Sequence, residues 1–240
     1  MGRAFSLGKV FGIEFRLHYT WFVIFILVTI SLVFPHWLSP LYWIMAIAAS
    51  LLFFASVLAH ELAHSLVGRA NGIPVKSITL FIFGGVALMT REATRPNAEL
   101  KMAAAGPACS LAIGGLFALI WLVTRGVATS VAEMAGWLAV INIALAVFNM
   151  IPGFPLDGGR IFRAILWRAT GNYQRSTLLA TWVGRGVAYL FILGGILIIL
   201  LHPFGLSWFD GVWLAFIGWF LGNAASASYR QAQWPETATD

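Results

Sequence analysis

Charge is scarce in this chain: only 10% of its 240 residues are Asp, Glu, Lys or Arg, against about 25% in an average globular domain. So little charge cannot cover a water-facing surface, which excludes an ordinary soluble protein. Cysteine is scarcer still. The single Cys109 has no internal partner, so a disulfide framework is excluded, and its apolar surroundings mark it as a small packing residue. There are five histidines, too few for the repeated histidine boxes of a membrane oxygenase. Acidic residues number 9 against 15 basic ones, for a net charge of +6. The basic residues are spread over separate segments instead of one face, which argues against nucleic acid as a partner and for anionic lipid headgroups.

What is abundant is apolar. Residues of this kind make up 60% of the chain, against about 45–50% in globular proteins. They fall in blocks long enough to cross a bilayer, which takes about 20 helical residues. Six blocks qualify, at 18–34, 41–68, 102–124, 133–151, 178–201 and 208–228. The first is too long for a signal-peptide core, and Phe34-Pro35-His36 is no small-residue cleavage site, so it is expected to remain as a span. The expected fold class is therefore an all-α polytopic membrane protein with six transmembrane helices. Residues 1–230 form one transmembrane domain, and 231–240 a polar, disordered tail.

Positive charge sets the orientation. With the N-terminus inside, Arg3, Lys9 and Arg16, then Arg69, Lys76, Arg91, Arg95 and Lys101, then Arg160, Arg163, Arg168 and Arg175, and finally Arg230 all fall on the cytoplasmic side. Only Arg125 lies in an outer loop, and Arg185 lies within a span. Both termini are thus expected in the cytoplasm of a cell-membrane protein. The outer loops are too short to hold a folded domain.

The inner segment after the second block carries Val75–Phe83, rich in β-branched and aromatic residues, then Gly84-Gly85, then Val86–Met89. This pattern predicts a short membrane-associated β-hairpin turning at Gly84-Gly85; an amphipathic connector is the plainer alternative. The run Ala103-Ala104-Ala105-Gly106-Pro107-Ala108-Cys109-Ser110 opens the third block with small residues that let helices approach closely in lipid. Pro107 is expected to kink that helix.

The second block ends in His60-Glu61-Leu62-Ala63-His64. Histidines four apart on a helix stack on one face and can reach one ion, while the glutamate after the first lies beside that ion as a candidate general base. Zinc suits imidazole and carboxylate ligands and keeps an open position for water in catalytic sites. Three ionisable groups inside an apolar span are costly unless paired or bound, so they mark function. The plainer reading is that they mark only the cytoplasmic helix end.

A third ligand is wanted. His18, His36 and His202 lie elsewhere in the chain. On the inner side the fourth block runs into Asn149-Met150-Ile151-Pro152-Gly153-Phe154-Pro155-Leu156-Asp157-Gly158-Gly159. The prolines break the helix, and Asp157 is a carboxylate able to turn back toward the histidines. It is equally a candidate N-cap for a helix starting at Gly158.

His60-Glu61-Leu62-Ala63-His64 in a span, with Asn149 through Asp157-Gly158-Gly159 after a later one, resembles the site-2 protease family of intramembrane metalloproteases. The Phe83-Gly84-Gly85 turn and Gly106-Pro107 are similar to that family as well. The likeness covers nearly the whole chain, without the PDZ insertion or the paired nucleotide-binding tail modules of some members. Asp157 follows Pro155-Leu156, a modest departure from the form of other members. The resemblance implies one Zn2+ per chain held by His60, His64 and Asp157, Glu61 as general base, and Asn149 holding substrate or its oxyanion. It also implies hydrolysis of peptide bonds in transmembrane segments of other proteins, which makes a transmembrane protein the substrate and the lipid bilayer the solvent. An oligomer is compatible with all of this. The rival class is a membrane transporter linked to metal or protons, which explains buried ionisable groups but not a glutamate placed as a hydrolytic base.

Overall fold

The computed structural model describes residues 4–82 and 84–233. Arg3, Phe83 and the end of the expected tail, 234–240, lie outside the described residues. The chain separates into two compact units, Met1–Thr94 with Ala104–Phe148, and Arg95–Ala103 with Asn149–Asp240.

The first unit opens with β1 (Ala4–Val10) and β2 (Ile13–His18), followed by α1 (Thr20–Val33) and α2 (Pro40–Ala70). Then come β3 (Val75–Phe81), β4 (Gly84–Met89), α3 (Pro96–Thr124), which straddles both units, and α4 (Thr129–Asn149). The four strands form one sheet in the order β1-β2-β3-β4. β1 and β2 are antiparallel, β2 and β3 parallel, and β3 and β4 antiparallel. Phe11 and Gly12 both have positive φ between Val10 and Ile13, the backbone of the two-residue turn that matches strand twist.

The expected hairpin over 75–89 is present, but its turn is elsewhere. Phe81 pairs with Gly84 and Leu80 with Gly85, so the chain reverses before the two glycines, which instead begin β4. The sheet is also twice as large as expected, because 4–18 adds two strands to it. Ile13, Phe15 and Leu17 alternate with Glu14, Arg16 and His18, and only the first set is fully buried. That period-2 pattern is a half-buried strand.

The sheet's buried face packs on α2. Ile13, Phe15, Val75 and Ile78 meet Leu58 and Leu62, while Leu17 and Leu80 meet Val57 and Phe53. Truncating a fully buried side chain such as Ile78 costs about 2–5 kcal/mol, so this contact fixes the sheet on one side of the helix. One turn before Phe53 on α2, the Thr29 hydroxyl donates to Ser50 Oγ at 2.9 Å. This polar link between α1 and α2 suits a setting where hydrophobicity does not drive helix association.

The second unit contains α5 (Asp157–Thr170), α6 (Tyr173–Leu201) and α7 (Trp208–Gln233), with the first turns of α3. α6 and α7 pack through small residues: a Cβ on Gly218 would come within 2.8 Å of Ile192 N and 2.7 Å of the Ala188 carbonyl. α7 reaches three residues into the stretch expected as tail.

Among the described residues, four helices are long and apolar enough to cross a membrane: α2, α3, α4 and α6. They match the second to fifth expected blocks. α1 is apolar but has 14 residues, about 21 Å at 1.5 Å per residue, short of a hydrocarbon core of about 30 Å. α7 occupies the sixth block.

Candidate metal centre

α2 places three of the expected site residues in one turn. At about 100° per residue, the faces holding His60 and His64 lie away from Leu58 and Leu62, which are covered by the sheet. Glu61 lies between the two faces. His60 and His64 are 4% and 7% exposed, in a span where such burial requires a partner.

Their Nε2 atoms stand 3.1 Å apart. Two nitrogens bound tetrahedrally to one zinc at about 2.0–2.1 Å stand roughly 3.3 Å apart, so the two imidazoles converge as paired ligands do. The other ring nitrogen of His60 is engaged: Nδ1 lies 2.8 Å from Ser110 Oγ, and Ser110 is fully buried. Were Nε2 to ligate a metal it would be unprotonated, Nδ1 would carry the proton, and the contact would be a donation to the Ser110 hydroxyl, the kind of outer-shell bond that orients a metal-binding histidine.

The wall opposite the imidazoles is Gly106 of α3. A Cβ on Gly106 would lie within 2.6 Å of His60 Nε2 and overlap His64 Nε2 as well. Only glycine leaves that space clear. Gly106 and Ser110 are one helical turn apart, so one face of α3 supplies both the cleared volume and the orienting hydroxyl. A cleared space bounded by two convergent, buried, oriented imidazoles fits a zinc ion. In the sequence, 103–110 reads as helix packing and Gly106-Pro107 as part of the family resemblance, but nothing local to Gly106 or Ser110 points to a partner about 50 positions earlier. The run of small residues was the signal.

Glu61 lies against the sheet. A Cβ on Gly85 would come within 3.0 Å of Glu61 Cδ, so β4 passes directly beside the candidate base. This explains Gly85 within β4: the strand needs a residue without a side chain where Glu61 arrives, while Gly84 is required by its φ of +119°.

Asp157 and Asn149 belong to the second unit. Asn149 ends α4, and Asp157 is the first residue of α5. The N-cap position is filled by Leu156, with extended backbone and no side-chain cap bond, so Asp157 is not the cap. Its carboxylate sits at the first turn, where the helix dipole favours negative charge. The loop before it closes backbone against backbone at its glycines. A Cβ on Gly158 would overlap the carbonyls of Met150 and Ile151, one on Gly159 would come within 2.6 Å of the Gly153 carbonyl, and one on Gly184 would come within 2.8 Å of Phe154 N.

Arg163, expected as an inner-surface charge, is instead 6% exposed and ion-paired with Glu99, which is fully buried. No charge pattern in the sequence distinguishes Arg163 from the half-buried Arg160 or the exposed Arg168 and Arg175.

The chain matches the family model for peptidase family M50 over residues 48–133 and 124–193. It is 43% identical over 244 residues to a presumed zinc metalloprotease of Synechocystis, an alignment covering 98% of this chain and 62% of that protein. A zinc metalloprotease of Methanocaldococcus jannaschii is 36% identical over 197 residues, covering 82% of this chain and 55% of that protein. The chain thus spans somewhat over half the length of the curated relatives it matches. The solved site-2 protease from Methanocaldococcus jannaschii superposes with a TM-score of 0.62 at 29% identity, covering 95% of this chain and 96% of that one. With the fold shared along both chains and the family model matched from residue 48 to 193, this chain belongs to peptidase family M50, the site-2 protease family.

Proposed function

We propose that the chain is an intramembrane zinc metalloprotease that hydrolyses peptide bonds within or near transmembrane segments of other proteins, as in regulated intramembrane proteolysis. The observation that carries this reading is the pair of buried imidazoles converging on a space that Gly106 keeps clear, with Glu61 one residue from the first of them. In this reading His60, His64 and Asp157 hold the ion, a donor set of two imidazoles and one carboxylate that leaves a fourth position open.

Bound zinc would polarise the scissile carbonyl and lower the pKa of its water to about 7. Glu61 takes the proton of the attacking water and hands it to the leaving amine. Asn149 holds the substrate backbone or the developing oxyanion through its side-chain amide. A helical substrate must first unwind, since its carbonyls are tied up in its own hydrogen bonds. β4 is the last strand of the sheet order and runs beside Glu61. An unwound segment added to its outer edge would recover backbone hydrogen bonds while presenting its peptide bonds to the base.

All six apolar blocks cross the membrane in this reading, with α1 lengthened by the turn that continues it to His36 and with both termini inside. The test is to purify wild type and Glu61→Gln, measure zinc, and assay cleavage of a transmembrane reporter. Both proteins are expected to bind about one zinc, and only wild type to cut. Equal cleavage by the variant would overturn Glu61 as base, and absence of zinc from both would overturn the metal reading.

A further inference from the structure

Arg163 and Glu99 form a buried ion pair that the proposed chemistry does not use. Arg163 Nε donates to Glu99 Oε1 at 2.9 Å, and Nη2 reaches the same oxygen. Nη1 lies 3.5 Å from the Thr177 hydroxyl. The guanidinium is also held between two aromatic rings, 4.9 Å from the Phe154 centroid and 4.7 Å from that of Tyr173. Both charges are out of water, and Glu99 Oε2 has no hydrogen-bond partner among the described residues. Such a pair contributes little net stability, because the desolvation of both ions offsets their attraction, and apolar residues of equal volume often do as well. Its geometry, however, is well specified. The guanidinium ties the first turn of α3, the body of α5, the start of α6 and, through Phe154, the loop that delivers Asp157.

We propose that Glu99 and Arg163 are positioning residues that fix the Asp157 carboxylate for the metal, by clamping Phe154 and α5 on either side of it. This rests on Asp157 being a ligand. A ligand must be held within about 0.5 Å to serve. The loop before Asp157 has little side-chain packing of its own, since it closes through Gly153, Gly158, Gly159 and Gly184. Phe154, 8% exposed, is its apolar anchor, and the planar arginine is what that anchor stacks on. Lysine cannot replace such a fork and stack.

The experiment uses the purified full chain with zinc, and with cobalt(II) as a spectroscopic substitute, in wild type, Glu99→Gln, Arg163→Lys, Phe154→Leu and Asp157→Ala. Zinc affinity by chelator competition, the cobalt d–d spectrum and thermal unfolding are measured for each. Glu99→Gln and Arg163→Lys are expected to lose about 10–100-fold in zinc affinity and to shift the cobalt spectrum toward that of Asp157→Ala, with unfolding still cooperative but at a lower temperature, because each leaves a buried charge poorly paired. Phe154→Leu leaves the ion pair intact and is expected to shift the spectrum in the same direction, so the clamp stays testable if the charge variants fold poorly. Wild-type affinity and spectrum in folded Glu99→Gln, Arg163→Lys and Phe154→Leu would overturn the positioning role while leaving Asp157 as ligand. Wild-type behaviour of Asp157→Ala would overturn the ligand assignment and the positioning role with it.

Discussion

In the proposed site two residues on α3 act on the histidines of α2, Gly106 by leaving space and Ser110 by orienting His60. Gly106→Ala puts a methyl group where both Nε2 atoms point, and the helix backbone behind it cannot retreat cheaply. Zinc content of purified Gly106→Ala is expected to fall to background, with the protein still folded by circular dichroism; wild-type zinc would mean that the imidazoles bind elsewhere. Ser110→Ala removes only the acceptor of the His60 Nδ1 proton. Zinc affinity is then expected to fall about 10–100-fold, and Ser110→Thr to retain most of it, because the hydroxyl survives. His60, Glu61 and His64 were legible in the sequence because the helix itself fixes their geometry: spacing alone puts two imidazoles on one face. Gly106 and Ser110 were not legible, since their meaning comes from another helix. Arg163 looked like any cytoplasmic arginine, because burial is a property of tertiary packing and not of local charge.

At the scale of elements, the apolar blocks were readable for the same reason that they are stable. In lipid every backbone polar group must be satisfied within the segment, so length and apolarity alone locate α2, α3, α4 and α6. The sheet was harder. β3 and β4 are visible from their β-branched and aromatic residues, but Gly84-Gly85 carries the usual turn signal of a glycine pair, and the competing demand on Gly85 comes from Glu61. β1 and β2 stand beside a long apolar block whose signal masks the short alternation of Ile13, Phe15 and Leu17. The sheet's role in presenting substrate can be tested through alternation of another kind. Along β4 successive N–H groups point to opposite sides, so proline at adjacent positions separates two effects. Of Val86→Pro and Ala87→Pro, one breaks the ladder with β3 and the other removes only an outward donor. The outward variant is expected to keep its zinc and its thermal stability while reporter cleavage falls at least severalfold. Unchanged cleavage in both variants would remove the sheet edge from the mechanism.

For the whole molecule, the positive charges and the site make one joint demand. His60 and His64 lie in the last third of α2, close to the end that carries Arg69, so an N-in chain opens its site to the cytoplasm and a reversed chain opens it outward. Burial of Arg163 takes one charge out of the inside count without altering the imbalance, since Arg125 is still the lone basic residue between α3 and α4. Cys109 is the single cysteine, so Cys109→Ser gives a cysteine-free background for mapping sidedness. A cysteine introduced at Val127, 91% exposed at the α3–α4 connection, is expected to react with an impermeant maleimide added outside sealed right-side-out vesicles. A cysteine at the exposed Arg91, between β4 and α3, is expected to react only after permeabilisation. The reverse pattern would turn the site outward and assign product release to the opposite compartment. Labelling of both from outside would place an odd number of crossings between the sheet and the α3–α4 connection in doubt, and with it the six-span arrangement.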